Sequence, residues 1–342
     1  MWSVVNYFEG GNSMSNTGSD NINQIVMGFQ KARILLTGFE LGVFTTISGE
    51  GKTSKQAAEM IGTDARAMDR LLNALCAMGF VIKKGEIFSN SPEAAQYLVK
   101  GSLDYMGGLM HSSHLWNTWS TLTNAVRSGR SVIPDHFDNR GEDWFEGFIA
   151  AMHFRARKNA SAVIGLLNLS GVKRVLDVGG GSGAYSMAFA VSNKNIHATV
   201  FDLANVIPLT RQYVEKEGLS EQVDYIVGDY MKDSPGKGYD LIFISAVVHI
   251  NSPEENIILL KKCVSALNRG GQVVIQDFVM EEDRVHPANG AVFALNMLVG
   301  TRSGDTYTEG EILEWYNKVG LQNPKKIETP FGTTLMTARL PF

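Results

Sequence analysis

The stretch VLDVGGGSGAYSMAFA at residues 175–190 joins an apolar run, an acid at Asp177 and a glycine-rich loop to a helical pattern. Glycine permits positive φ angles and lets a ligand approach the backbone where a Cβ would collide. The loop glycines Gly179, Gly181 and Gly183 do not follow the dinucleotide pattern G-x-G-x-x-G, because no glycine stands three residues after Gly181. The loop predicts a ligand site without identifying the ligand.

Two further acids follow apolar runs that have the character of strands. Asp202 ends VFDL, where a carboxylate can accept both hydroxyls of a ribose. Asp229 lies in VGDYM, where it can accept from an exocyclic amine while Tyr230 or Met231 covers an adenine face. Together with the glycine loop, these strand ends predict a nucleoside ligand.

Both NAD and S-adenosylmethionine (SAM) contain such a ribose. A pyrophosphate binds at a tight helix N-terminus, whereas a sulfonium amino acid needs an acid near the loop for its ammonium group. Asp177 provides that acid, so the residues favour SAM.

These residues need elements that bring them to one edge. Short β-branched runs alternate with helical patterns from Val172 onward: VKRVLDVGG, ATVFDL, VDYIVGD, YDLIFISAVV and GGQVVIQDF. This alternation predicts a doubly wound, Rossmann-like α/β domain with a parallel sheet, in which ligands bind at the carboxyl ends of the strands.

The first part of the chain has a different pattern. Apolar residues recur at helical spacing from Ile22 to Leu41, and two further helices are predicted in TSKQAAEMIG and, after Thr63-Asp64, in TDARAMDRLLNALCAMGFV. Two short strands flanking Lys84-Gly85 complete a winged helix-turn-helix. Its longer helix balances acids and bases and has no basic stripe, so a scaffold or dimerisation role is favoured over DNA binding.

Composition narrows the function further. The 342 residues are 44% hydrophobic, with a formal net charge of −4 and a pI near 6.0, so no general attraction to nucleic acid or anionic membranes is expected. No apolar run reaches membrane-spanning length. Cys76 and Cys263 lie in apolar helical contexts, which predicts reduced thiols, no metal site and a cytoplasmic protein.

The patterns divide the chain into four parts. Residues 1–20 are expected to be a disordered tail, and 21–110 a mostly helical winged-helix domain. Residues 111–165 are expected to form a helical linker and acceptor-pocket segment, and 166–342 the α/β domain.

Five stretches carry a resemblance to a known family: VLDVGGGSG, FDLANVI, VGDYM, DLIFISAVVHINSPEENIILLKKC and GGQVVIQDF. From about residue 22 onward, the chain resembles SAM-dependent O-methyltransferases of the plant caffeate and acetylserotonin type and their bacterial small-molecule relatives. The resemblance implies a class I methyltransferase domain preceded by a winged-helix domain that forms a homodimer. It also implies the cofactor SAM and a small-molecule methyl acceptor.

The resemblance assigns roles to single residues. His249 corresponds to the catalytic base of the family's L-H-D-W motif, and Met152, Asn296 and Met297 lie where the family lines its acceptor pocket. His153 is interpreted as structural. The predicted cofactor site comprises Asp177, Gly179, Gly181, Gly183, Asp202, Leu203, Asp229, Tyr230 and Ser245.

The chain departs from the family pattern around the base. Ile250-Asn251 follows His249 where Asp-Trp is common, and Ser245 stands where plant enzymes often have a cofactor-contacting lysine. Asp277 takes the place of a glutamate that flanks the histidine. The position of the second flanking glutamate is occupied by Thr306, with Asp305 beside it.

The leading interpretation is an O-methyltransferase for a small aromatic hydroxyl compound, with His249 as general base and Asp277 orienting it. The altered surroundings of His249 leave open a C- or N-methyltransferase, or a diverged relative that does not methylate. A winged-helix DNA-binding regulator is a third class, and it would show salt-dependent DNA affinity.

Overall fold

The computed structural model describes residues 18–133 and 142–342. It divides the chain into two units, of which the first ends at Ser113 and the second begins at His114. Most of the expected N-terminal tail lies outside the described residues, but the expectation was wrong for residues 18–20, which belong to the first helix. Helix formation starts there because the polar residues GSDN precede the apolar helical repeat.

The first unit is mostly helical and contains a small three-stranded sheet, and the winged helix-turn-helix stays a prediction. Thr53 forms a capping box with Gln56, and the Asp64 carboxylate accepts from the Ala67 N–H at 2.8 Å, so the sequence places both helix starts correctly. The strands pair as an antiparallel sheet in the order β1-β3-β2. The elements are α1 (Gly18–Glu40), α2 (Val43–Thr46), β1 (Lys52–Thr53), α3 (Ser54–Ile61), α4 (Ala65–Ala77), β2 (Val81–Lys84), β3 (Ile87–Asn90), α5 (Pro92–Tyr97) and α6 (Leu109–Trp119), which contains the division.

The second unit is an α/β domain around a seven-stranded sheet. Its elements are α7 (Leu122–Ser128), α8 (Glu142–Gly165), β4 (Arg174–Val178), α9 (Ala184–Ser192), β5 (His197–Asp202), α10 (Ile207–Lys216), β6 (Val223–Val227), β7 (Tyr239–Ser245), a 3₁₀ turn (Val248–Ile250), α11 (Pro253–Ala266), β8 (Leu267–Asp277), β9 (Val279–Met280), α12 (Ala288–Gly300), β10 (Tyr307–Thr308), α13 (Glu309–Lys318), β11 (Gln322–Glu328) and β12 (Thr334–Arg339). The strand order is β11-β12-β8-β7-β4-β5-β6. The five predicted strands are β4 to β8, and they are parallel to one another as expected.

The expectation of a parallel sheet was incomplete, because β11 and β12 make the sheet mixed. Strand β12 runs antiparallel to β8, with Thr334 opposite Asp277, and β11 runs antiparallel to β12. The short connection at residues 329–333 joins antiparallel neighbours, whereas parallel strands need a long crossover. The sequence QNPKKIE does not predict β11, because this mostly exposed edge strand lacks alternating apolar residues.

The sheet buries both of its faces, as the doubly wound interpretation requires. Along β7, Ile242 and Ile244 pack on the face covered by α11 and α13. The alternate residues Leu241 and Phe243 pack on the other face, against α8 and α9. Side chains of a strand point to opposite faces in turn, so the fully apolar run LIFI is what a strand covered on both sides needs.

The pairing of β4 defines where a ligand can bind. Strand β4 lies between β5 and β7, and the chain winds outward from it in both directions. The crevice at such a switch point is the ligand site of open α/β sheets. The carboxyl ends of these strands and of β8 carry Asp202, Ser245 and Asp277.

Among the described residues, no helix is long and apolar enough to cross a membrane. Both cysteines are free thiols, as predicted; Cys263 is buried and Cys76 is half-buried.

Phe243 tests the packing behind the site. Its side chain is fully buried, with its ring centroid 4.9 Å from that of Tyr185 and 5.5 Å from that of Phe189. We expect Phe243→Ala to lower the free energy of unfolding by about 3–5 kcal/mol, because it removes a large buried side chain and leaves a cavity. The matched control Phe331→Ala, at a 39% exposed position, should change it by less than about 1 kcal/mol. Urea unfolding measures both, and equal effects would contradict the packing.

Candidate active site

The glycines of the loop between β4 and α9 differ in how closely other side chains approach them. Gly179 has φ +65°, and a Cβ there would lie 2.7 Å from Val247, so protein packing already requires glycine. Gly181 has φ +55°, and a Cβ on it would meet only Ile149, at 3.6 Å. The backbone of Gly181 is therefore the part of the loop that a ligand can approach, while Gly183 closes the turn onto Gly180.

Asp202 fastens this loop to the end of β5. Its Oδ2 accepts from the Gly181 N–H at 2.8 Å, and its Oδ1 accepts from the Leu203 N–H at 2.7 Å. Burial raises the pKa of Asp202 to about 6, although these two hydrogen bonds oppose the shift. Each carboxylate oxygen keeps a second lone pair, so the group can still accept from ribose hydroxyls.

Asp177 lies at the end of β4 and is 1% exposed. Its Oδ2 accepts from the Ser186 hydroxyl at 2.8 Å, while its Oδ1 is buried without a hydrogen-bond partner among the described residues. Burial raises the pKa of Asp177 to about 7, and the Asp202 carboxylate contributes to the rise. A buried carboxylate oxygen without a partner is costly, and an ammonium group would satisfy it.

The loop after β6 carries Asp229 and Tyr230. The Asp229 carboxylate accepts from the Met231 N–H and pairs with Lys232, each at 2.8 Å. Burial alone would raise the pKa of Asp229, but hydrogen bonds from Lys232 and Met231 hold it below its usual value. The Tyr230 hydroxyl donates to the Asn251 side-chain oxygen at 3.1 Å.

Ser245 ends β7 in contact with the neighbouring strand. Its hydroxyl donates to Gln276 Oε1 at 3.2 Å, and the Gln276 amide donates to the Thr333 hydroxyl at 3.1 Å. The predicted cofactor contact of Ser245 stays a prediction, as do those of Asp229 and Tyr230.

His249 and Asp277 form a buried pair at the rim. His249 Nδ1 lies 2.8 and 2.9 Å from the two Asp277 carboxylate oxygens, one of which also accepts from the Phe278 N–H at 2.8 Å. A carboxylate can only accept, so Nδ1 carries the proton and Nε2 is the nitrogen that can take one up. The Asp277 carboxylate therefore holds the imidazole in one orientation.

The sequence patterns do not identify two aromatic residues in this region, Phe293 and Phe278. The Phe293 ring lies edge-on to the imidazole, with centroids 4.8 Å apart, and Phe278 lies 4.8 Å from Phe293. Phe293 precedes Asn296 by three residues on α12, so helical spacing from the predicted pocket residues could have found it.

The three predicted pocket residues lie on two helices. On α12, Asn296 accepts from the Trp119 indole N–H at 2.9 Å, and the Met297 side chain is buried. On α8, Met152 is half-buried and precedes His153, whose Nδ1 lies 3.0 Å from the Ser182 hydroxyl. The structural interpretation of His153 therefore omitted a contact with the glycine loop.

The second flanking acid of the family has no counterpart on the imidazole. Thr306 is buried, and the Asp305 carboxylate accepts from the Thr306 N–H and lies 4.0 Å from Arg284. The backbone N–H of Asp305 donates to the His249 carbonyl at 3.0 Å. Asp305 thus contacts the backbone of His249, while Asp277 contacts its ring.

Comparison with known families matches both units. The family model for the O-methyltransferase domain matches residues 119–322, and the model for the O-methyltransferase dimerisation domain matches residues 23–100.

Individual relatives have low sequence identity to the chain but align with most of its length. The chain is 29% identical over 316 residues to 3-hydroxy-5-methyl-1-naphthoate 3-O-methyltransferase of Streptomyces sahachiroi, covering 90% of each. It is 25% identical to the N,N-dimethyltransferase OxyT of Streptomyces rimosus, covering 75% of this chain and 78% of that one. The solved structure of human N-acetylserotonin methyltransferase in complex with SAM has a TM-score of 0.82 at 22% identity, covering 97% and 100%, which establishes the shared fold.

The buried Asp177 carboxyl should make stability depend on pH. Its folded pKa, about 7, lies above the unfolded value of about 3.9, so the folded state holds the proton more tightly. The stabilisation is full below about pH 4 and is lost as the pH rises through 7. Between pH 5 and pH 8, we expect Asp177 to lower the free energy of unfolding of the ligand-free protein by about 3 kcal/mol.

Asp177→Asn should remove this fall in the free energy of unfolding between pH 5 and pH 8, because the amide cannot ionise. Urea unfolding at the two pH values measures it, with Asp224→Asn, an exposed acid on β6, as the matched control. A wild-type pH dependence in Asp177→Asn would contradict the placement of this carboxyl.

Proposed function

The chain belongs to the O-methyltransferase family, whose members use SAM on small molecules, and from this premise we propose that its acceptor is a small aromatic hydroxyl compound and His249 its general base. The observation that carries the proposal is the buried contact between His249 Nδ1 and the Asp277 carboxylate.

In this proposal, the His249–Asp277 contact determines which imidazole nitrogen accepts the proton of the acceptor. A phenol has a pKa of about 10, roughly three units above neutral pH, so its hydroxyl needs a base. Asp277 keeps the Nδ1 proton in place and leaves Nε2 to accept the acceptor's proton. After that transfer, the same carboxylate stabilises the imidazolium.

The remaining residues bind and orient. SAM supplies a methyl group that its sulfonium already activates, so the protein mainly has to align acceptor and donor. In this proposal, Asp177 Oδ1 takes the ammonium group and Asp202 takes the ribose hydroxyls. Asp229 and Tyr230 hold the adenine, and Gly181 leaves room for the ligand to approach.

The aromatic character of the acceptor is supported by Phe293, whose ring contacts the imidazole, and by Phe278, whose ring contacts Phe293. Aromatic rings favour edge-to-face and offset contacts with other rings. The relative from Streptomyces sahachiroi carries a naphthoate in its name, which agrees with such an acceptor.

His249→Gln tests the base. We expect turnover to fall by about 10²- to 10⁴-fold at neutral pH, while the affinity for SAM changes little, because Asp177 and Asp202 are untouched. The variant should recover turnover as the pH approaches the phenol's own pKa, because the phenolate then forms without a base. The measurement is methylation of a panel of hydroxylated aromatic acids and phenols with labelled SAM.

His197→Gln, an exposed histidine on β5, is the matched control and should keep wild-type turnover. Full activity of His249→Gln near neutral pH would refute the base. Methyl groups found on nitrogen or carbon of the product would refute the choice of a hydroxyl acceptor.

We also propose that the dimerisation domain forms a homodimer through α1. Ile22, Ile25 and Val26 are 62%, 72% and 58% exposed on this helix, and their spacing places them on one face. Such an apolar stripe marks a protein interface, and a second copy is the partner that agrees with a dimerisation domain.

The double substitution Ile25→Glu with Val26→Glu should convert the dimer to monomer, because it would bury four like charges in a two-fold interface. Light scattering at micromolar concentration measures the mass. The control Val227→Glu, at a 57% exposed position on β6, should remain dimeric, and a dimeric α1 variant would exclude this interface.

A further inference from the structure

The turn that carries His249 is held by its backbone carbonyls. The Val248 carbonyl accepts from the Asn256 amide at 2.9 Å, and the His249 carbonyl accepts from the Asp305 N–H at 3.0 Å. The Asn251 carbonyl accepts from the Tyr307 hydroxyl. The position of the imidazole therefore depends on groups that belong to other elements.

One of these connections leads to the loop after β6. The Tyr230 hydroxyl donates to Asn251 Oδ1 at 3.1 Å, and the Asn251 amide donates to Asn256 Oδ1 at 3.1 Å. Asn256 in turn donates to the Val248 carbonyl. Three side chains thus join the predicted adenine-binding loop to the peptide that precedes His249.

This path is buried and each of its links is occupied. Asn251 is 5% exposed and Asn256 is fully buried. Both hydrogen-bonding ends of each asparagine side chain have a partner, and burial makes the loss of any one bond costly. A displacement of Tyr230 therefore strains its hydrogen bond to Asn251.

Asn251 stands where the family commonly has a tryptophan, which has only a single N–H donor and no acceptor. An indole could not accept from Tyr230 while donating to Asn256. The path consequently depends on the residue that departs from the family motif.

We propose that Tyr230 and Asn251 are positioning residues that transmit occupancy of the cofactor site to the orientation of His249. The proposal rests on the proposed function for the assignment of the adenine side to Tyr230 and of the base to His249. With the cofactor in place, Tyr230 is pressed against Asn251, and the Val248–Ile250 turn holds the imidazole against Asp277. Without it, the turn is less constrained.

The experiment uses the full-length protein with ¹⁵N-labelled histidine and S-adenosylhomocysteine as probe. In wild type, we expect the His249 imidazole signals, assigned by their loss in His249→Gln, to shift on titration. Tyr230→Phe keeps the ring and removes only the hydroxyl. It should bind the probe within a few-fold of wild type, lose most of the His249 shift, and lower kcat by about 2- to 30-fold.

The matched control is Tyr225→Phe, which removes the hydroxyl of a half-buried tyrosine on β6 and should leave the shift and kcat unchanged. Asn251→Ala breaks the same path at its next residue. The double variant Tyr230→Phe with Asn251→Ala should lose no more of the His249 shift than Asn251→Ala alone, because both substitutions interrupt one path.

A wild-type His249 shift in Tyr230→Phe, or no shift in wild type, would overturn the proposal. If Tyr230→Phe fails to fold, Asn251→Ala gives the same test, and an unchanged shift there would also overturn it. Should His249→Gln prove fully active while the Tyr230-dependent shift is present, the link stands and the assignment of the base fails.

Discussion

The pairing of β4 with β5 on one side and β7 on the other is the constraint on which the site depends. It brings the ends of these strands to one edge, so that Asp177 and Asp202 lie close enough for each charge to affect the other. Asp202 then holds Gly181 by its N–H, and β8 adds Asp277 at the same edge. The apolar faces of the sheet supply the stability, and the edge carries nearly all of the chemistry.

That edge carries two buried acids, and a cation would stabilise their charged forms. Two neighbouring carboxyls are desolvated there, and the pKa of each is raised by burial. A cationic ligand that bears hydroxyl groups would give both carboxyls the charge stabilisation and the hydrogen bonds that water gives them in the unfolded chain. Under the proposed function, these carboxyls favour a sulfonium nucleoside over a dinucleotide, because a pyrophosphate would meet like charge from them.

The sequence alone predicts most of this architecture. Strands β4 to β8 and the caps at Thr53 and Asp64 follow from patterns that local physics determines. The pairing of His249 with Asp277 follows from the resemblance to the family and from the shared edge of the sheet. Strand β11 could not be predicted, since its residues are exposed and polar, and its position comes from pairing with β12. The path through Asn251 depends on contacts between distant segments, which no local pattern encodes.

Helix α12 lies outside the sheet, yet its Phe293 faces the imidazole. This helix is a separate element from the strand ends that carry Asp177, Asp202 and Asp277. The loop that follows α12 returns to His249 through the backbone N–H of Asp305, and its close approach requires a glycine at Gly304. Under the proposed function, contacts to the acceptor and contacts to the methyl donor therefore reside on separate elements, α12 and the strand ends.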